Sequence, residues 1–380
     1  MRTVDVRRAR LTPFLAAQAG AAARPSSGAL TIANCRAYVL REPVSRREYA
    51  LLKVETSGGI AGWGETLSIS AGELAAASAI LRGRQATEYV PLHTALAPLP
   101  NMQAAVNMAL LDIVGRATNA PVYQVLGGPT RHKVRALIRL TGADNSELAA
   151  ALKREQAGGF RAFAVPVVAA AARNSGQTFV AANRKRLEAL RAAGGEQSDF
   201  VIDCRAALTP GDAASLSDAL ERMHPLWIDE PCELTNLAAI RKIASERVTP
   251  LGFGRTVTRA AAFQDLLRED VIDVFRPDLA RHGITQIRKF AALAEANYIA
   301  VAPYHDGGPV ATAAALHLAA SLPNFFIQQL MLPDASEDRR FRAELAGAQL
   351  EKAMDGYLAL PTGPGLGIRV NESLLGKEIA

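Results

Sequence analysis

Cysteine is scarce in this chain: Cys35, Cys204 and Cys232 are the only three among 380 residues. They are too few and too dispersed for a disulfide framework, and they lack the paired spacing of a zinc site. Aromatic residues make up only 6% of the sequence. No stretch approaches ~20 uninterrupted apolar residues, which excludes a membrane-spanning helix on this pattern. Acid and base are nearly balanced, with 43 Lys and Arg against 37 Asp and Glu, for a net charge of +6. A nucleic-acid binder concentrates such charge in a patch with interleaved aromatics. Here the basic residues are scattered, and the richest clusters are Arg7-Arg8-Ala9-Arg10 and Arg46-Arg47. The pattern reads as solvated surface charge, with a mild positive field that suits an anionic substrate.

What is present is an ordinary globular composition, 49% apolar, that can bury a sizeable core. The length suits two medium domains or one large domain with an appendage. Residues 1–28 hold five Arg, one Asp and no Glu, and Arg7-Arg8 precedes a run of small residues ending Ala21-Ala22-Ala23. That resembles a worn twin-arginine export signal. The apolar run is short and interrupted by Gln18 and Gly20, so an uncleaved tail on a cytoplasmic protein stays open as the alternative.

Leu30–Val39, Tyr49–Glu55 and Ile60–Glu65 read as a three-stranded meander. From Ala71 to Leu126 the periodicity is helical, with Ala105, Met108, Ala109 and Ile113 along one face. Gly127-Gly128-Pro129 ends that region. Beyond residue 134, short apolar runs alternate with amphipathic helices: 136–140, 160–168, 200–202, 226–228, 250–253, 272–275, 299–302 and 325–327. Strands alternating with helices imply parallel βαβ units, and eight of them imply a closed barrel. Asp203, Glu230, Arg255, Asp278, Tyr304 and Gln329 recur every 23 to 27 residues at the ends of these runs. Equivalent positions on successive strands converge on one mouth of a barrel, where active sites form, so these six are expected to face each other.

The residues now resemble a known family. Gly62-Trp63-Gly64-Glu65, Ala109-Leu110-Leu111-Asp112-Ile113-Val114-Gly115 and Pro121-Val122-Tyr123-Gln124-Val125-Leu126-Gly127-Gly128 are similar to the capping domain of mandelate racemase and muconate lactonizing enzymes. Ile228-Asp229-Glu230-Pro231-Cys232 looks like the fourth-strand metal motif of that group. Val301-Ala302-Pro303 with Gly308-Pro309-Val310 is similar to the seventh-strand loop of acid-sugar dehydratases, and Asp355-Gly356-Tyr357 with Pro364-Gly365-Leu366-Gly367 also fits.

The resemblance implies an enolase-type (β/α)7β barrel with an α+β capping domain. It also implies Mg2+ held by three strand-end carboxylates, stabilising the enediolate that forms when a base removes the proton next to a substrate carboxylate. Asp203 and Glu230 match the first two ligands, but the third position is Arg255, and a guanidinium cannot ligate Mg2+. The Lys-x-Lys-type base of the second strand is replaced by Ala164-Val165-Pro166. Asp278 matches the residue that would orient a seventh-strand His, whose own position holds Tyr304, with His305 next to it. Gln329 stands where an eighth-strand carboxylate is often found, and Arg205 where a second polar residue follows Asp203.

Two readings follow. In the first, Arg255 pairs with Asp203 and Glu230 and supplies the metal's positive charge. His305, paired with Asp278 or Asp306, is then the acid/base group and Tyr304 a second candidate, while Arg205, Arg255 and Gln329 hold the substrate. The protein would be a dehydratase or racemase acting on a hydroxy acid, with metal dependence lost or altered. In the second, the same residues form a satisfied ion-pair network in an inactive sugar-acid-binding or structural protein. His317 and Trp63 read as core and Glu65 as cap packing, while Arg281 and His282 lie where they could touch a ligand. The expected organisation is a tail or export signal over 1–28, a capping domain over 29–133, a barrel over 134–340 and a segment over 341–380 that returns to the cap. A homo-oligomer with a small anionic substrate, and no nucleic-acid or membrane partner, completes the expectation.

Overall fold

A computed structural model describes residues 28–169, 176–234, 237–245 and 248–379. The expected export signal or tail, 1–28, lies outside the described residues except for Gly28.

Three antiparallel strands open the fold: β1 (Ile32–Arg41), β2 (Glu48–Thr56) and β3 (Ala61–Thr66). Helix α1 (Ala71–Leu81) starts at a capping box in which Ser70 and Glu73 satisfy each other's backbone N–H groups. Short α2 (Tyr89–Ala95) leads to α3 (Pro100–Ala117), and α4 (Val122–Val125) ends the cap. Helix α3 is buried along most of its length because it lies between β3 and the barrel. A Cβ on Gly64 would overlap the Ala105 carbonyl, so that close approach of strand to helix requires glycine. The Asp112 carboxylate ties the layers together, accepting N–H bonds from Trp63 at 3.0 Å and Leu366 at 2.8 Å, and pairing with Arg116 at 3.0 Å.

The barrel alternates strand and helix: β4 (Lys133–Arg139), α5 (Asn145–Ala157), β5 (Ala162–Pro166), α6 (Gly176–Gly194), β6 (Asp199–Asp203), α7 (Pro210–Leu220), β7 (Ile228–Asp229) and α8 (Leu237–Ser245). It continues with β8 (Leu251–Phe253), α9 (Ala260–Arg268), β9 (Val274–Phe275), α10 (Leu279–Glu295), β10 (Ala300–Val301), α11 (Pro309–Ser321), β11 (Gln328–Leu330) and α12 (Ser336–Ala346). Neighbouring strands pair in parallel from β4 through β10, and β11 pairs back onto β4. The ring closes where Val301 bridges Phe325 and the Gln329 N–H donates to the Pro303 carbonyl at 3.2 Å. This is the (β/α)7β arrangement. Inside it, Leu137, Ala164, Val201, Trp227, Ala302 and Ile327 belong to an apolar cluster of their own, so the barrel is a filled core and not a pore.

The eighth strand departs from the expected position. It spans Gln328–Leu330, not 325–327. The apolar run marks the approach to the strand, whereas the strand itself begins with two buried glutamines that no apolar pattern reveals. Two later strands lace the domains: β12 (Tyr357–Ala359) adds to β4, and β13 (Glu378–Ile379) adds to β1.

Candidate active site

Successive strand ends deliver charged side chains to one mouth. Asp203 ends β6, Asp229 ends β7 and Glu230 follows it, Arg255 comes two residues after β8, and Arg276 directly follows β9. Arg139, Arg205, Glu230, Arg255, Tyr304 and Asp306 line a cavity of about 260 Å3 there, together with Ala206 and Thr256.

Arg255 is the centre of this arrangement. Its Nη1 lies 3.0 Å from Asp203 Oδ1 and 3.2 Å from Asp229 Oδ2, and its guanidinium sits 4.5 Å over the Tyr304 ring. Burial opposes its charge, but Asp229 and Asp203 outweigh that and hold the guanidinium protonated. Asp229 also accepts from Trp227 Nε1 at 2.8 Å and Arg276 Nε at 2.8 Å. Arg276 is fully buried and donates further to the Ala302 carbonyl at 2.6 Å and to Gln329 Oε1. Asp203 is further approached by Arg205 Nε at 3.5 Å and Arg139 Nε at 3.6 Å. Burial still pushes the Asp203 carboxyl above its ordinary range, against the pull of Arg255.

The expected pairing of Arg255 with Glu230 takes a different form. The Glu230 carboxylate is held by backbone, its Oε1 accepting the N–H groups of Gly254 and Arg255 at 2.7 Å each. Those N–H groups are free because β8 has just ended, and Glu230 turns toward them from a left-handed backbone conformation (φ 45°). The guanidinium is thereby left to Asp229. Glu230 Oε2 has no partner among the described residues, and burial with the nearby Asp229 charge pushes the carboxyl up to about 7.

The six residues expected to converge divide. Asp203, Glu230, Arg255 and Tyr304 meet at the mouth. Asp278 caps α10, accepting the Ala280 N–H at 2.9 Å, and its burial pushes it up to about 6. Gln329 is buried beneath the mouth on Arg276 and Met331 Sδ. His305 is sealed away from the cavity. Its Nε2 faces Thr312 Oγ1 at 3.5 Å, its Nδ1 has no partner, and burial beside Arg342 pushes it down to about 4. Neither Asp278 nor Asp306 pairs with it. Asp306 instead accepts the Tyr304 hydroxyl, and burial and that carboxylate hold the phenol protonated. Arg281 and His282 line a separate cavity of about 410 Å3 between cap and barrel, with His282 bonded to the Val257 carbonyl.

Sequence reasoning missed Arg139, Asp229 and Arg276. Each has a signal: a charged residue interrupting an apolar run near its end (Arg139), or flanking a position already singled out (Asp229 before Glu230, Arg276 two before Asp278).

The donor set does not suit a divalent metal of the kind the resemblance implies. Arg255 Nη1 stands at hydrogen-bond distance from Asp203, one oxygen of Glu230 is taken by two N–H groups, and no third carboxylate replaces Arg255. Among the described residues no group of three or more His, Cys, Asp or Glu side chains could hold a metal ion.

Comparison with known proteins gives a consistent picture. Residues 36–127 match the mandelate racemase/muconate lactonizing enzyme N-terminal domain, and 147–374 match the enolase C-terminal domain-like family. A D-galactonate dehydratase family member from Streptomyces bingchenggensis is 30% identical over 372 residues, covering 86% of this chain and 89% of that protein. The D-galactonate dehydratase of Ralstonia nicotianae is 30% identical over 351 residues, with 86% and 90% covered. Among solved structures, a mandelate racemase/muconate lactonizing enzyme-like protein from Roseovarius sp. superposes with TM-score 0.80 at 25% identity, covering 90% of this chain and 94% of that one. A mandelate racemase/muconate lactonizing enzyme from Sulfitobacter sp. gives 0.80 at 24% identity over 90% and 94%, a likeness of fold.

Proposed function

This chain belongs to the mandelate racemase and muconate lactonizing enzyme family of the enolase superfamily, and from that premise we propose that it is a sugar-acid dehydratase in which guanidinium charge does the work of the family's metal. The observation that carries the proposal is Arg255, held between Asp203 and Asp229, in the sequence position where the resemblance implies the third metal ligand. Removing a proton next to a carboxylate builds negative charge on the two carboxyl oxygens. Fixed, permanently protonated donors in a water-poor site stabilise such charge without having to reorganise. Arg139, Arg205 and Arg255 converge on the cavity, and Arg139 Nε has no hydrogen-bond partner among the described residues. A substrate carboxylate would complete that arrangement bidentately. A hydroxyl group of the substrate would satisfy Glu230 Oε2.

In the dehydration the α-carbon loses its proton to a base and the hydroxyl on the next carbon leaves with a proton as water. The enol that remains becomes the 2-keto-3-deoxy acid. Tyr304, which lines the cavity and whose hydroxyl donates to Asp306, is our candidate donor to the departing hydroxyl. The relatives named D-galactonate dehydratase make six-carbon aldonic acids the first substrates to try.

The test is α-proton exchange with deuterated water, followed by NMR across a panel of aldonic and aldaric acids, in chelator and then in Mg2+. Exchange and 2-keto acid formation in chelator, lost in Arg255→Ala, are expected. Exchange that needs Mg2+ would overturn the arginine-for-metal reading. A second reading, binding without turnover, is favoured by one specific observation: His305 is buried out of the mouth, and Ala164-Val165-Pro166 supplies no base. Binding of an aldonate by calorimetry with no exchange would establish it.

A further inference from the structure

Tyr304, whose ring supports Arg255, lies in the segment 304–308 between β10 and α11. Nothing within that segment fixes its course at the downstream end, because the residue preceding α11 is Gly308, which has no side chain to cap the helix. The cap is supplied from the other domain. Glu65, at the end of β3, is fully buried, and its carboxylate accepts the N–H of Gly308 and, at 3.1 Å each, those of Val310 and Ala311. The fit is close on this side: a Cβ on Gly308 would come within 2.6 Å of the Tyr49 ring, and one on Gly307 would overlap the Glu65 carboxylate. From the opposite side Arg342 donates to the Gly307 carbonyl from both terminal nitrogens at 3.2 Å. Arg342 is itself fixed by Glu42 at 3.0 Å and by Glu351 at 2.8 and 2.5 Å.

We propose that Glu65 is a positioning residue for the mouth: by capping α11 from the cap domain it sets the course of residues 305–308, downstream of Tyr304, whose own backbone is bonded to Pro277 and Leu279, and through Asp306 and the Tyr304 hydroxyl it sets the tilt of the ring under Arg255. The chain of contact is short and each link is visible. Glu65 holds Gly308, Arg342 holds Gly307, Asp306 holds the Tyr304 hydroxyl, and Arg255 lies on the Tyr304 ring. The consequence is that the cap domain, which contributes no side chain to the lining of the cavity, still governs how its central guanidinium is presented. This deepens the reading of the mouth as an anion site and rests on it only for the binding arm of the test.

The experiment compares Glu65→Ala and Glu65→Gln with the parent protein and with Asp112→Asn. The control removes charge from another buried carboxylate of the cap, one bonded to the N–H groups of Trp63 and Leu366 and not to those of Gly308, Val310 and Ala311. Two readouts need no ligand: amide hydrogen exchange of peptides spanning 304–311, and phenylglyoxal labelling of Arg255 read by peptide mass spectrometry. A third is calorimetric affinity for D-galactonate. Both Glu65 variants are expected to speed exchange in 304–311 by about tenfold or more and to raise Arg255 labelling, Ala more than Gln because the amide keeps one acceptor oxygen. Asp112→Asn is expected to lower the melting temperature yet leave both readouts at the parent level. Where the parent binds galactonate, the Glu65 variants bind it about tenfold more weakly. Folded Glu65 variants with unchanged exchange and unchanged Arg255 labelling would overturn the proposal, as would an equal response in Asp112→Asn. A parent that binds no sugar acid would count against the functional reading alone, since the first two readouts still decide this one.

Discussion

Two buried arginines of this molecule sit among carboxylates, and they are used differently. Arg342, at the seam between cap and barrel, is wholly enclosed and bonded to Glu42, Glu351 and the Gly307 carbonyl, with the unpaired His305 Nδ1 and Tyr49 hydroxyl near it. Glu351 in turn accepts from Thr312 at 2.7 Å. Arg255, at the mouth, keeps 14% of its side chain exposed and shares its carboxylates with Arg139, Arg205 and Arg276. Around it bonds are left unmade, at Arg139 Nε and Glu230 Oε2. A guanidinium with no exposed surface holds structure, and one partly exposed at a cavity of charged side chains can meet a ligand.

The comparison breaks first at Arg342. Arg342→Ala leaves Glu42, wholly buried, and Glu351, 14% exposed, without their cation, and removing one partner of a buried pair costs about 3–5 kcal/mol. Urea denaturation is expected to show a loss of that size, and a loss below about 1 kcal/mol would mean the seam does not depend on this ion pair.

Arg255→Ala is expected to cost less, about 1–3 kcal/mol, because Asp229 keeps Arg276 and Trp227 while Asp203 keeps Arg139 and Arg205. Its effect should fall on function: α-proton exchange disappears in a protein that still folds. Arg255→Glu sharpens the point by restoring a third carboxylate. Calorimetry is expected to detect Mg2+ binding in that variant and none in the parent.

A smaller effect concerns pH. Burial pushes Glu65 up to about 7, in opposition to the N–H groups of Ala311, Gly308 and Val310 and to Arg342, while Tyr49 lies close by. Its ordinary value is 4.5, so between 4.5 and about 7 the folded state binds this proton more tightly than the unfolded chain does. Stability attached to this group is therefore fully present below 4.5 and is lost as pH rises toward 7. Glu230 is pushed up to the same range and adds to the same slope. Thermal melts of Glu65→Gln against the parent at pH 5 and pH 8 are expected to show a shallower decline in the variant, by about 1–3 kcal/mol. The least disturbing change is Tyr304→Phe, which loses the bond to Asp306 but keeps the ring under Arg255. Stability should move by about 1 kcal/mol, galactonate affinity should fall no further than in the Glu65 variants, and turnover should be reduced more than either.

The scaffold was legible because its constraints repeat. Gly64 is demanded by the approach of α3, Asp112 by the backbone groups of two neighbouring segments, and the even spacing of strand-end residues by the barrel itself. Mouth geometry was less legible because it lies just beyond the strands, where the backbone leaves its regular path. The positive φ of Glu230 sends its carboxylate to the N–H groups of the next strand end and leaves Arg255 to Asp229, a turn that no spacing announces. Tyr304 and His305 illustrate the opposite case. Consecutive side chains of an extended segment point to opposite sides, so if Tyr304 serves the mouth His305 cannot.

The pairing of β13 with β1 also has a temporal meaning. Strand β1 precedes the barrel in the chain, and the whole barrel is synthesised between it and the strand that covers its edge. Until residues 378–379 arrive, β1 presents unpaired N–H and C=O groups to whatever is nearby, the condition in which strands recruit neighbours of the wrong kind. Likewise β4 begins the barrel but waits for both β11 and β12. Such long-range closures are slow to form. A newborn chain of this design thus spends its synthesis with two edges open, and it is during that interval that a chaperone has something to hold.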